Sequence, residues 1–586
     1  MSRSLATPAI CSVIGLALFA VAGACSDGRD GFEERPRNFV QTPTEDAGEC
    51  ALQCSLDGRS VIRSCTGETV ETCSATTACG GAKCQDPCAA AAEDRSSNGC
   101  EFYFQAPPPY ASSCYATFVV NTSTQPVELS FDRDGEALDI SKAVFRTTPG
   151  DATLLAHTGP IPPGESVVLF VEERDPSTPN AINSVRCPEG VVPAVQGKAL
   201  TGTAFGKSFH LATNAPVSLV AMYPFGGAAG HLPTTALLMP VVTWGKEHVI
   251  VNPWEANIGR PSTQIVASED GTEITIVPKV PIQSGQGVEG ALANLPATYR
   301  LDKGQFLQFV QNDELTGSIL TSSKPTATFG GQTCAYIPSA SGACDLLWQQ
   351  IPSYEQWGSE YVAVGYRQRT ASPGETMPYR IVAAHDGTRL DYDPKIPVGA
   401  PTEMNAGEVV TFPAGVNDTF VVRTQDAEHP IYLAAYMTGY EGGYYGSGKM
   451  AGWGDPDFVN VVPAGQWLNA YSFYADPTYE ETSLVVIRGK HFGKFEDVWL
   501  ECAGTLTDWK PVGTRVDYEY VRVDLSREGG PGQSFGDKTC RTGLQRMKST
   551  GPFTATLWGW AFAASYAYPG GTATRKLVTT PLVPVQ

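Results

Sequence analysis

Three observations predict an all-β fold built from tandem repeats. The segment Gln264–Pro278, QIVASEDGTEITIVP, recurs as Arg380–Pro394, RIVAAHDGTRLDYDP. Its upstream flank recurs as well, WGKEHVIV at Trp244–Val251 matching WGSEYVAV at Trp357–Val364. The 586-residue chain also holds 60 Gly and 44 Pro and lacks long Lys/Glu/Leu helical patterns, which favours turns and short strands.

Residues 1–25 read as a targeting segment. Arg3 is the only charge before an apolar run, roughly Ile10–Ala22, that is too short to span a bilayer with comfort. Ala22-Gly23-Ala24 then precede Cys25 as in a bacterial lipobox, with Ala22 where Leu is usual. Such a site predicts cleavage before Cys25 and diacylglycerol on its sulfur, with two or three acyl chains holding the protein to a membrane. Ser26 after the cysteine favours outer-membrane sorting, so the expected location is a cell envelope, lipid-anchored; ordinary secretion is the alternative. Residues 26–49 are polar, acidic and rich in turn formers, a flexible tether.

Residues 50–100 carry eight cysteines, at 50, 54, 65, 73, 79, 84, 88 and 100. So dense a set marks a module stapled by disulfides in place of an adequate apolar core. Zinc is the competing reading, but no C-x-x-C and no His lies among them. The other six suggest local pairs: Cys114 with Cys187, Cys334 with Cys344, and Cys502 with Cys540.

From residue 101 onward the text is β throughout. In both clear copies an Asp-Gly-Thr turn, at Asp270-Gly271 and Asp386-Gly387, separates two apolar runs, which predicts a tight hairpin. A strand after a Gly follows, GQFLQFV from Gly304 and GEVVTFP from Gly407, and then one opening on a Pro, KPTATFGG at Lys324 and HPIYLAAY at His429. Pro at a strand's first residue needs no donor there. A fainter earlier copy contains GESVVLFV at Gly164 and APVSLVAMY at Ala215, and a later one starts near Trp467. The unit is about 110 residues, giving boundaries at 101–236, 237–344, 345–453 and 454–586. Its six or seven short strands suit a β-sandwich; two propeller blades per unit fit equally.

The order WGKEHVIV, IVASEDGTEITI, LDKGQFLQF, LTGSILTSSKPTATFGG, CDLLWQQIPSYEQWGSEYVAV and RIVAAHDGT resembles the IgGFc-binding protein N-terminal domain family, over about Val217–Gly439 with weaker continuation through GDPDFVNVVP. The cysteine module and SCYATFVVNT (Ser113–Thr122) resemble an arrangement in lipoproteins of myxobacteria-like organisms. The resemblance implies an exported, β-rich, adhesive or ligand-binding protein. The family is named for an animal mucosal protein that binds the Fc part of IgG, and no residue set for that binding carries over.

Reactive chemistry is sparse. The seven histidines are dispersed, no HExxH or G-x-S-x-G motif occurs, and no cofactor or metal is predicted. GYYGSGKM (Gly443–Met450) falls short of a phosphate-binding loop because Met450 replaces the Ser or Thr that holds magnesium. A net charge of −20 without a basic stripe argues against nucleic acid. Acidic turns at Asp132-Arg133-Asp134-Gly135, Glu269-Asp270-Gly271 and Asp455-Pro456-Asp457 raise calcium, but none continues into a full calcium loop and structural turns explain them.

The aromatics Tyr436, Tyr440, Tyr444, Tyr445 and Trp453 crowd a Gly-rich stretch. They are read either as a contact surface for a glycan or protein, on Tyr440, Tyr444, Tyr445 and Trp453, or as cover for a seam between repeats. Trp558, Trp560 and Phe562 alternate and are expected to face one core together. The sequence thus predicts a non-enzymatic envelope lipoprotein for adhesion or ligand binding, with an unknown extracellular glycan or protein as partner. The alternatives are an exported polysaccharide hydrolase and a purely structural envelope protein.

Overall fold

The computed structural model describes residues 51–55, 58–181, 183–370, 374–440 and 453–582. All lie in the second of two compact units, Arg37–Gln586. The lipobox with Cys25, the tether, Tyr444, Tyr445 and the phosphate-loop decoy fall outside these residues.

The cysteine-rich module is a three-stranded sheet, Leu52–Cys54, Ser60–Arg63 and Thr69–Thr72, followed by the hairpin Ala78–Gly80/Lys83–Gln85 and the helix Pro87–Asp94. Asp86 caps that helix by accepting from the Cys88 and Ala89 amides, and Pro87 sits where no donor is needed. Disulfides join Cys54 to Cys79, Cys73 to Cys84 and Cys88 to Cys100. Gly80 lies against the helix so closely that a Cβ there would be 2.4 Å from the Ala90 Cα.

Beyond the module, tandem β repeats follow one plan. Each has a long strand: Phe209–Tyr223, Ile319–Ala335, the broken pair Phe420–Thr424 and Ile431–Met437, and Gly543–Ala561. The first half of each pairs in one ladder and the second half in another. Ile319–Ser322 joins the strand Thr272–Val277, whereas Thr326–Gln332 joins Pro261–Ala267. A proline stands at every switch, Pro216, Pro325, Pro430 and Pro552, where the chain leaves one ladder and a missing N–H costs nothing. What the sequence presents as a strand opening on Pro is thus the second half of a longer strand in two of the four repeats' clearest examples, Ala215 and Lys324.

The Asp-Gly-Thr turns are not hairpins. Pro261–Ala267 and Thr272–Val277 pair with the long strand, not with each other, and Thr376–Ala383 and Thr388–Asp393 are likewise unpaired. A two-residue hairpin turn of the expected kind needs positive φ at both central residues, but only Gly271 and Gly387 have it, at 62° and 66°. The threonine hydroxyls instead close the corner: Thr272 donates to the Glu269 carbonyl and Thr388 to that of His385, each at 2.7 Å. The turn carries the chain from one ladder to the other.

After each long strand the chain reverses into a short inner strand: Thr234–Leu238, Asp345–Ile351, Asp457–Asn460 and Ala564–Pro569. The first lies beside the second, the second beside the third, the third beside the fourth, and the fourth beside the first. Four units thus close around an axis. Gln349 marks it, its side-chain amide donating to the carbonyls of Thr235, Phe458 and Ala567 at 2.8, 3.0 and 3.0 Å, one from each other unit.

The connections between units repeat too. Short 3₁₀ turns at Val241–Thr243, Tyr354–Gln356 and Ala464–Gln466 end on Trp244, Trp357 and Trp467. Each indole donates to the carbonyl five residues earlier: Met239 at 3.1 Å, Pro352 at 3.1 Å and Val462 at 3.2 Å. The duplicated tryptophan motif therefore has one environment, and Trp467 supplies the third copy. At the last seam, Ser96 bridges Ala573 and the Ser97 amide donates to the Thr572 carbonyl at 2.8 Å, so the C-terminal segment meets the end of the cysteine module.

The cores cross the seams. One cluster joins Phe118 of the first unit to Tyr474 of the fourth, ring centroids 4.3 Å apart; another places Tyr366 of the third on Trp558 of the fourth at 5.0 Å. Trp558 and Trp560 are buried as expected, but Phe562 lies past the strand's end at Ala561 and is 61% exposed. Further along the chain, disulfides join Cys114 to Cys187, Cys334 to Cys344 and Cys502 to Cys540.

Candidate functional site

The turn from each long strand into its inner strand lies at the same end of the axis. Among the described residues these turns comprise 224–233, 336–344, 438–440 with 453–456, and 562–563. Because the inner strands form a ring, their entry loops must gather at its mouth. A cleft of about 220 Å³ opens there, lined by Tyr110, His231, Tyr336, Tyr440, Asp455 and Ala563 among others. Phe562 forms its rim, with ring centroids 6.1 Å from Tyr440 and 6.2 Å from His231. Tyr110, from the segment before the first unit's central strand, is half exposed.

The loops are braced against one another. The Gly439 amide donates to the Ile337 carbonyl at 2.9 Å, tying the third unit's loop to the second's, and Gly454 donates to Ala561 at 2.9 Å, tying it to the fourth's. Cys334–Cys344 staples the base of the second loop. Arg369, fully buried and paired with Glu375 at 2.6 Å, donates to the Thr438 and Trp453 carbonyls at 2.8 and 3.0 Å. Both ends of the long third loop are thus held by one guanidinium, a geometry that suits its planar fork of donors.

The structure divides the sequence-predicted aromatics. Tyr440 lines the cleft. Trp453 lies at the margin, partly buried against the core shared by the third and fourth units, with a backbone bridge to Phe562. Tyr436 is fully buried; its hydroxyl donates to the Pro253 carbonyl at 2.8 Å and its ring stacks on Phe458 at 5.5 Å, so it seals a seam. Sequence reasoning missed Phe562, His231 and Tyr336. Their common signal is position, directly after or shortly beyond a long strand in three repeats. It becomes readable only once the repeats are aligned on their second halves.

Beneath the cleft the axis is acidic. Asp455-Pro456-Asp457, expected as a structural turn, is buried, and Asp345 feels the charge of both its carboxyls. Burial holds the Asp345 and Asp457 carboxyls well above the usual carboxylate range; for Asp345 the neighbouring Asp455 and Asp457 add to the effect. Among the described residues, Asp345 Oδ2, Asp457 Oδ2 and the Tyr479 hydroxyl have no hydrogen-bond partner. Burial also pushes Asp476 up to about 6 and lowers His231, which is therefore neutral near pH 7. Among the described residues, no group of three or more His, Cys, Asp or Glu is placed to hold a metal ion, and no helix is long and apolar enough to cross a membrane.

The sequence model of the IgGFc binding protein family matches residues 234–559, from the first inner strand to the last long strand. The chain belongs to this family. A human IgGFc-binding protein is 24% identical over 338 residues, which is 56% of this chain but only 6% of the human protein's length. The family match thus runs from the first inner strand through the second and third units to the last long strand; the cysteine-rich module, most of the first unit, the fourth inner strand and the loops at 224–233 and 562–563 lie outside it. A viral chemokine binding protein encoded by rodent gammaherpesvirus Peru aligns over 59% of this chain and 90% of its own, at 11% identity and a TM-score of 0.11, too slight a likeness to carry an argument.

Proposed function

We propose that this protein is a non-enzymatic binding protein of a cell envelope, exported and anchored through lipid on Cys25, that captures a protein partner with the loops gathered at the mouth of its four-unit ring. One observation carries the reading: four loops from equivalent places in four repeats converge on one cleft and expose rings there. Rigid aromatic side chains on a braced frame supply contact area at little entropic cost. Family membership supports binding as the class of function; IgG Fc, named for the human relative, is one candidate among protein ligands. Disulfide density favours an oxidising compartment, in keeping with export.

The acidic cluster under the mouth, Asp345 with Asp455 and Asp457, is buried and offers a glycan chain no reachable carboxyls. That weighs against the hydrolase alternative, which needs two reachable carboxyls across a substrate. The test is an array of extracellular proteins and glycans, with IgG Fc included, probed with the full chain and with Phe562→Ala and Tyr440→Ala. Binding to a protein that both changes abolish, at unchanged melting temperature, is expected. Binding that survives both, or is confined to glycans, contradicts the proposal. Mass spectrometry of the mature N-terminus tests the anchor: a lipid-modified Cys25 is expected, and an unmodified chain beginning elsewhere refutes it.

A further inference from the structure

A second cleft, of about 530 Å³, lies at the seam of the first and fourth units and shares no residue with the axial one. Three arginines line it. Arg146 is paired with Glu165 at 2.5 Å, and Arg546 holds both oxygens of Glu501 at 2.6 and 2.8 Å. Those four charges cancel. Arg541, exposed, faces the same cleft with no carboxylate or other acceptor on its guanidinium among the described residues. In a chain of net charge −20 this leaves one local positive charge.

The frame around Arg541 is rigid. Cys502–Cys540 joins the residue after Glu501 to the residue before Arg541, with Cα atoms 4.9 Å apart. Arg541 packs over Gly150, where a Cβ would come within 3.2 Å of its Cδ, so the glycine leaves it room. Opposite, Leu155 is 53% exposed on the edge strand Asp151–Ala156, an apolar wall beside the charge. The volume falls in the range of small-ligand pockets.

We infer that this seam binds a small sugar acid, its carboxylate taken by Arg541, its C–H face on Leu155 and its hydroxyls donating to Glu165 and Glu501. A guanidinium matches a carboxylate bidentately. The two flanking glutamates still accept hydrogen bonds from hydroxyls, and the single uncompensated positive charge matches one carboxylate, so the site favours a hydroxyl-rich monoanion over polyanions such as nucleotides, whose further charges meet no unpaired cation. This inference does not rest on the axial cleft or on its proposed partner.

The test is calorimetric titration of the full chain with glucuronate, glucose and N-acetylglutamate, in wild type, Arg541→Gln and Arg541→Lys. Glucuronate is expected to bind at least about ten-fold more tightly than glucose, and Arg541→Gln to weaken it roughly ten- to hundred-fold, the loss of a charge-assisted contact. Arg541→Lys, which keeps the charge but not the fork, should fall between. Because Arg541 is exposed, the melting temperature should not move. No binding of glucuronate by wild type, equal binding of glucose, or no effect of Arg541→Gln overturns the inference. Tighter binding of N-acetylglutamate than of glucuronate overturns the sugar and reassigns the site to acidic peptides.

Discussion

Gln356 and Gln466 occupy the same place in successive units, each just before a unit's tryptophan, and the later amide donates to the earlier carbonyl at 3.1 Å. Gln356 in turn donates to the carbonyl of Thr243, its own counterpart one unit back, at 2.6 Å. Gln466 continues the series forward, donating to the Arg575 carbonyl at 2.8 Å while its Oε1 accepts from the Arg575 amide at 2.9 Å. Side chains of repeated residues thus stitch the units into a ring, and the C-terminal segment is the last stitch. Buried amides satisfied in this way specify one arrangement, because each alternative leaves acceptors unpaired.

Trp560 tests whether the seams are structural cores. It lies under Arg367 of the third unit, whose guanidinium is 4.9 Å from the ring, and 5.9 Å from Tyr366. Trp560→Ala should cost about 3–5 kcal/mol in urea denaturation. The loss should appear in signals from both the third and fourth units. A melt unchanged from wild type would show that the ring is not packed there.

The buried acids give the protein a pH signature. Asp476, fully buried, is raised to about 6, and burial raises Asp345 and Asp457 as well. A raised carboxyl binds its proton more tightly folded than unfolded. Its contribution is complete below the unfolded value of 3.8 and is lost as pH climbs through the folded value. Stability from Asp476 should therefore fall between about pH 4 and 7, by on the order of 3 kcal/mol. Asp476→Asn should flatten that part of the profile relative to wild type. A variant whose melting temperature tracks wild type in parallel across this range would refute the assignment.

The mouth of the ring should tolerate change in its rim. Phe562 is exposed and its backbone is held through Trp453, so Phe562→Ala is expected within about 0.5 kcal/mol of wild type in thermal melts. Arg369→Met, by contrast, strands the buried Glu375 carboxylate and frees both ends of the third loop. It should cost about 3–5 kcal/mol. Comparing the two melts separates a contact surface from its support; equal losses would contradict that division.

The repeat itself could be read from Trp244, Trp357 and the Asp-Gly-Thr echo, because each copy must meet the same backbone needs. The corner at Gly271 could not be told from a hairpin, since Asp-Gly serves both and the deciding bond runs from Thr272 to Glu269. Alternation placed Phe562 with Trp558 and Trp560, but alternation holds only while the strand lasts, and this one ends at Ala561. Asp455 and Asp457 read simply as a structural turn because nothing local signals burial; only closure of four distant segments around them does. Tyr436 and Tyr440 sit in one aromatic run, yet one ends in a seam and the other at the mouth. That division depends on where the long strand stops, at Met437.

Closure of the ring around Gln349 is tested most directly by hydrogen exchange of the full chain, wild type against Gln349→Ala, read on peptides covering 234–238, 345–351, 457–460 and 564–569. The amide serves a carbonyl in each of the other three inner strands. Its removal should lower protection in all four peptides together, by about 1–3 kcal/mol. Loss confined to 345–351, with the other three strands unchanged, would mean that the units do not close on one axis.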